Sequence, residues 1–153
     1  MMCKKLILKP VDSANRQAAE QLSLKKSQDG FVEPVSVCLR EADDNPVWRP
    51  VCIYEGEVMI GFAMYGLWEA GTKNERVWFD RFLIDGVFQG RGLGRRAFKL
   101  VMDTIINKYQ CRRMYLSVYG NNKTAIALYE SFGFKFNGEL DGHGELVMVW
   151  ENK

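Results

Sequence analysis

The 153-residue sequence predicts one domain of mixed α and β structure, α/β or α+β, built around a mixed sheet. Three observations carry this. Strand-type and helix-type segments follow one another in the order β-α-α-β-β-β-α-β-α-β-β. Hydrophobic residues make up 47% of the chain and charged residues 26%, proportions that let a chain this long bury a core without disulfides or metals. Repeats, low-complexity tracts and interdomain linkers are missing, so residues 1–153 read as a single domain.

Each element has its own local reason. Lys4 to Leu8 reads as a short first strand. Asp12 and Ser13 are capping types ahead of a helix expected from about Asn15 to Lys26. Pro34 stands near the start of a second helical pattern, Phe31 to Ala42, which ends in the loop Asp43-Asp44-Asn45-Pro46. Val51 to Tyr54 and Val58 to Tyr65 form a hairpin around Glu55-Gly56-Glu57. Arg76 to Asp85 is rich in strand formers. The glycine-rich run Gln89 to Gly94 leads into a helix of about fifteen residues, striped by Phe98, Val101, Met102, Ile105 and Ile106. Met114 to Val118 is a strand, and Asn121 to Phe132 is a helix stopped by Gly133. Phe134 to Phe136 and Leu146 to Trp150 are closing strands joined through Asp141-Gly142-His143-Gly144.

Composition also excludes functions. A net charge of +2 is too weak to argue for nucleic acid. No apolar run approaches the ~20 residues that span a bilayer. The apolar stretch Leu6 to Leu8 is too short for a signal peptide, so no membrane role and a cytoplasmic location are expected. Cys3, Cys38, Cys52 and Cys111 are scattered and read as reduced thiols packed as small hydrophobes. The single histidine, His143, has no cysteine near it, so no metal is expected and His143 reads as structural.

The segment Phe82-Leu83-Ile84-Asp85-Gly86-Val87-Phe88-Gln89-Gly90-Arg91-Gly92-Leu93-Gly94 carries the chemistry. A strand, a glycine loop and a helix start together make an anion site. Glycines let the backbone approach a ligand, and the free N–H groups of a first helical turn point at it. A diphosphate is the natural guest, and Arg91, Arg95 and Arg96 could add charge-assisted contacts. The spacing fits neither a nucleotide-hydrolase phosphate loop nor a dinucleotide fingerprint. A plain glycine turn before a surface helix stays open on this segment alone. A second constellation, Asn122-x-x-Ala125-x-x-x-Tyr129, opens another helix and puts Ala125 and Tyr129 on one face. Taken singly, Asn122 reads as an N-cap and Tyr129 as a packed aromatic.

Together, Gln89-x-x-Gly92-x-Gly94 and Asn122-x-x-Ala125-x-x-x-Tyr129, with the strand Met114 to Val118 between them, resemble the GNAT superfamily of N-acetyltransferases. Within it, Phe31-Val32-Glu33-Pro34, Ile53-Tyr54 with Val58 to Gly66, Arg81-Phe82-Leu83-Ile84-Asp85 and Leu128 to Phe134 resemble bacterial spermine/spermidine N-acetyltransferases. The resemblance implies a mostly antiparallel, twisted sheet of about seven strands flanked by four helices. It also implies a V-shaped splay between the fourth and fifth strands, where acetyl-CoA binds. Phe82, Leu83 and Ile84 would meet the pantetheine arm, with the Ile84 N–H polarising the thioester carbonyl. The backbone from Gln89 and Gly90 through Arg91, Gly92, Leu93, Gly94 and Arg95 would hold the diphosphate, and Asn122 and Ala125 would contact the arm. Tyr129 would be the general acid for the departing thiolate, and Asp80 would be the base or its water-linked equivalent. Glu33, Glu41, Trp78 and Asp80 would meet a long cationic amine. The implied function is acetyl transfer from acetyl-CoA to a primary amine of spermidine, spermine or a related diamine, by direct attack in a ternary complex. A homodimer is a further expectation from the superfamily. Two alternatives stay open at this point. One is an acetyltransferase for another amine, such as a protein N-terminus or an aminoglycoside. The other is a non-catalytic CoA-binding module.

Overall fold

The computed structural model describes residues 4–152. A seven-stranded sheet runs in the order β1-β2-β3-β4-β5-β7-β6. Its strands are β1 (Leu6–Pro10), β2 (Trp48–Glu55), β3 (Val58–Trp68), β4 (Arg76–Ile84), β5 (Arg113–Val118), β6 (Lys135–Leu140) and β7 (Leu146–Glu151). Four helices flank it: α1 (Arg16–Glu20), α2 (Val35–Asp44), α3 (Leu93–Tyr109) and α4 (Lys123–Ser131). Every neighbouring pair is antiparallel except β4 and β5, which run parallel. The mixed sheet expected from the sequence is therefore present, with the mostly antiparallel pairing that the family resemblance implies.

Two clusters fill the two faces of the sheet. One sets α3 and α4 against it around Phe98, Ile105, Met114 and Phe134. The other sets α1 and α2 against the opposite face around Cys38, Leu39, Phe62, Met64 and Leu83. The apolar stripe read along α3 is the buried one: Phe98, Val101, Met102 and Ile105 all lie inside. Cys38, Cys52 and Cys111 are free thiols, and Cys3 lies outside the described residues.

Several boundaries differ from the sequence expectation. The first helix stops at Glu20 instead of reaching Lys26. The chain beyond it is claimed by the end of β4. The Ser23 N–H donates to the Asp85 carboxylate at 3.1 Å, and the Gly86 N–H donates to the Ser23 carbonyl at 2.8 Å. Tertiary hydrogen bonds thus replace helical ones. Asp12 caps no helix; its carboxylate accepts from the Ala14 and Asn15 N–H groups in a local turn. The first strand is shifted to Leu6–Pro10, and β2 begins three residues early, at Trp48.

The feature that matters most for the site is a β-bulge. Across β3 and β4, Met64 faces Arg81 but Tyr65 faces Phe79, so Asp80 is the extra, unpaired residue. The bulge reverses the alternation of β4. Phe79 and Phe82 both reach the α3 side, with ring centroids 4.8 Å and 5.4 Å from Phe98. Arg81 and Leu83 turn to the α2 side.

Candidate active site

The parallel pair β4–β5 holds together at one register position, Trp78 opposite Tyr115, and then separates. Beyond it the two strands splay. The Asp85 N–H donates to the Ile60 carbonyl on β3 at 2.9 Å. Strand alternation therefore aims the backbone amides of Phe82 and Ile84 at the opposite edge, which opens into the splay.

Two connected spaces occupy it. The larger, a cleft of about 290 Å³, is mainly apolar and includes Ile84, Gly90, Gly94, Ala125 and Leu128. A narrow neck of about 40 Å³ continues from it between Phe79, Asp80, Leu116, Ser117 and Glu145. Phe31, Val32, Phe82, Asn122 and Tyr129 line both spaces, so Tyr129 stands at the junction.

The glycine segment is open. Gly90 and Gly92 take positive φ of 86° and 75°, a conformation that strains other residues, and nothing lies within 4 Å of where their side chains would start. α3 begins directly after Gly92, with no side-chain cap over its first N–H groups. Those amides have no intrahelical partner and suit the diphosphate of a CoA-type carrier. The apolar cleft beside them suits an extended pantetheine arm.

The residues singled out from the sequence divide as follows. Asn122 caps α4 through the Ala125 N–H at 3.3 Å, and both residues line the cleft. Gln89 also lines it, but its amide serves the loop: it donates to the Ile84 carbonyl at 2.8 Å and pairs with Gln28 at 2.9 Å. Leu83 touches the cleft, yet its side chain belongs to the α1–α2 cluster. The Leu93 side chain is core. Arg95 reaches across to the Ser131 hydroxyl at 2.8 Å and covers the Phe132 ring. Arg91 is exposed, over Phe88. Glu33 stands exposed at the neck. Trp78 is the residue the fold does not bring in. Its ring packs on Tyr115, 5.6 Å away, and lines neither the cleft nor the neck.

Electrostatics distinguish the two sides of the junction. Tyr129 is 9% exposed and packs on Phe98, and burial holds its phenol well above the ordinary value. The phenol is therefore neutral at physiological pH. Asp80 is pushed up to about 6, chiefly by burial, with Arg81 opposing. Glu145 is pushed up to about 7 by burial and by its neighbour Asp141. Burial would raise Asp141 too, but hydrogen bonds from the His143 and Glu145 N–H groups, at 2.8 and 2.9 Å, hold it below the usual carboxylate range.

Past the neck, a groove of about 380 Å³ runs outward between Glu41, Asp44, Asp141, Trp48 and Trp68. It shares Asp80, Arg81, Ser117, His143 and Glu145 with the neck. Trp48 and Trp68 stack at 5.8 Å. Glu41 belongs here, paired with Arg81 at 3.0 Å. Five carboxylates thus face Arg81 and a single histidine. Asp44, Trp48, Trp68, Asp141 and Glu145 were not identifiable from the sequence. They come from α2, two strands and a hairpin, and no spacing links them.

Among the described residues no cluster of three metal-ligating side chains exists, and no helix is long and apolar enough to cross a membrane.

Comparison with known proteins places the chain in a family. A spermine/spermidine N(1)-acetyltransferase of Bacillus subtilis (strain 168) is 44% identical over 147 residues, covering 94% of this chain and 97% of its own. A spermidine N(1)-acetyltransferase of Escherichia coli (strain K12) is 41% identical over 129 residues, covering 82% of this chain and 66% of its own. Among solved structures, the spermidine N-acetyltransferase of Vibrio cholerae in complex with CoA and spermine superposes with a TM-score of 0.72 at 19% identity, covering 94% of this chain and 92% of that one. That likeness shows a shared fold. The profile of the acetyltransferase (GNAT) family matches residues 11–134. The chain therefore belongs to the GNAT family of acetyltransferases.

Proposed function

We propose that the protein transfers the acetyl group of acetyl-CoA to a primary amine of spermidine, spermine or a related diamine, by direct attack in a ternary complex. One observation carries the reading. A mainly apolar cleft beside uncapped helix amides leads, through the neck that starts at Tyr129, into a carboxylate-lined groove. A polyamine is a string of ammonium groups on methylene linkers. The groove offers it Glu41, Asp44, Asp80, Asp141 and Glu145, with the Trp48–Trp68 stack as a cation–π surface. The cytoplasm as the place of reaction is part of the same proposal.

The chemistry balances on this chain's own residues. The incoming amine is an ammonium at neutral pH. Asp80, directly or through one water, accepts a proton from it. The freed nitrogen then forms the C–N bond as the C–S bond breaks. The Ile84 N–H, turned into the splay, faces the carbonyl oxygen as charge builds there. Tyr129 gives its proton to the departing sulfur and is reprotonated by the second proton that the new amide nitrogen loses. Net, one ammonium proton is released.

An amine panel tests the substrate assignment. Thiol release would be followed with spermidine, spermine, putrescine, an N-terminal alanine peptide and an aminoglycoside. The expected result is highest kcat/KM for spermidine or spermine. Turnover of the peptide or the aminoglycoside, with none for the polyamines, would replace the substrate class.

A further inference from the structure

We propose that Arg81 is a positioning residue for the amine-side carboxylate: its guanidinium, held between Asp80 and Glu41, keeps Asp80 ionised inside the neck. The β-bulge makes this possible. Consecutive strand residues normally point to opposite faces, but the extra residue at Asp80 puts Asp80 and Arg81 beside each other at the mouth of the groove. One guanidinium nitrogen donates to the Asp80 carboxylate at 2.5 Å and to the Asp80 carbonyl at 3.2 Å. The other donates to Glu41 at 3.0 Å. The Asp80 and Arg81 side chains are 18% and 17% exposed, so the pair is poorly screened, whereas Glu41 at 43% is half in water. The Arg81 Nε is buried with no partner among the described residues. Leaving a donor unsatisfied costs stability, which a guanidinium kept only for packing would not justify.

The charges around Asp80 show why the cation matters. Arg81 lies on β4 itself. Glu41 approaches from α2, which also sets the buried Cys38 against Arg81. Asp141 and His143 approach from the β6–β7 turn, and Glu145 stands just before β7. Burial, Glu41, Asp141 and Glu145 all favour a protonated Asp80, and Arg81 is the permanent cation on the other side. A protonated Asp80 could not take a proton from the ammonium. The clamp therefore sets the lower pH limit of a base buried among like charges. Its catalytic consequence rests on the acetyltransferase reading above, but the ionisation itself does not.

The test separates the two. The Asp80 carboxyl would be titrated by carbon-13 NMR in ligand-free protein, with D80N for assignment, in wild type, R81Q, R81K and E41Q. The pH dependence of kcat/KM for spermidine would be measured alongside. R81Q should raise the Asp80 midpoint by about 1 to 3 pH units, the usual effect of a neighbouring guanidinium, and the acid limb of the rate profile should move with it. R81K, which keeps the charge, should stay near wild type. E41Q removes a repelling carboxylate and leaves the guanidinium to Asp80, so it should lower the midpoint; should R81Q not fold, an unchanged or raised midpoint in E41Q overturns the inference. An unchanged midpoint in R81Q, or a shift in R81K as large as in R81Q, overturns the inference. If wild type acetylates no amine, the reaction falls while the NMR midpoints still judge the clamp.

Discussion

Tyr129 and Asp80 face each other's chemistry across the neck with opposite needs. In the proposed reaction the first must keep a proton and the second must lose one. Burial among Phe98 and Phe134 keeps the Tyr129 phenol protonated at any working pH. Tyr129→Phe should therefore lower kcat by about 10²- to 10⁴-fold, the range for a lost general acid. CoA affinity, measured by calorimetry, should be retained, because the ring survives. On the proposed mechanism, Asp80, raised to about 6, and Glu145, raised to about 7, set the acid side of the rate profile. Both are raised carboxylates, so they ionise only as pH climbs through these values. The kcat/KM for spermidine is expected to fall as pH drops from about 7 to below 6. A flat profile down to pH 5 would exclude both groups as the base. Tyr129 was legible in the sequence because its spacing from Ala125 and Asn122 is local to one helix. Glu145 was not, because only the β6–β7 hairpin brings it opposite Asp80. Trp78 was misjudged for a related reason: its place on β4 is local, but its face depends on the pairing with β5.

At the scale of elements, α3 does double duty. Its first turn supplies free amides, and Phe98, one turn on, fixes the floor of the site. Phe98 is fully buried and packs on the rings of Phe79, Phe82, Tyr129, Phe132 and Phe134. Phe98→Ala should cost about 3 to 5 kcal/mol of unfolding free energy in urea titration. It should also weaken catalysis, since Tyr129 loses its backing. A loss below about 1 kcal/mol would show that the aromatic cluster repacks. The α3 stripe was readable because its period is 3.6 and its buried face faces one neighbour. The early end of α1 was not, because Gln21 to Lys25 carry no breaker. What stops the helix is Asp85, more than sixty residues later, taking the Ser23 N–H. The bulge at Asp80 was equally hidden; it appears only in the mismatch of register between β3 and β4.

At the scale of the whole molecule, the proposed site occupies the seam where β4 and β5 part. The cleft and the groove lie on either side of the neck, with helix amides at one end and carboxylates at the other. That arrangement has a stability consequence. Asp80 and Glu145 bind protons more tightly folded than unfolded, so their contribution favours the native state below about pH 4 and is lost as pH rises through about 6 to 7. The change in Tm on D80N with E145Q should therefore be more favourable at pH 8 than at pH 5, by differential scanning calorimetry. An equal change at both would show that neither carboxylate is buried at a cost. The order of elements and the two glycine and helix motifs made the fold legible and pointed to the proposed carrier end. The amine end depended on long-range assembly of α2, β2, β3 and the last hairpin.

The crystal structure of the protein with CoA tests the central claim most directly. The account predicts the diphosphate on the backbone of Gly90 to Arg95, the arm along Phe82 and Ile84, and the sulfur within hydrogen-bonding reach of the Tyr129 hydroxyl. CoA bound outside the β4–β5 splay, or a sulfur turned away from that hydroxyl, would contradict it.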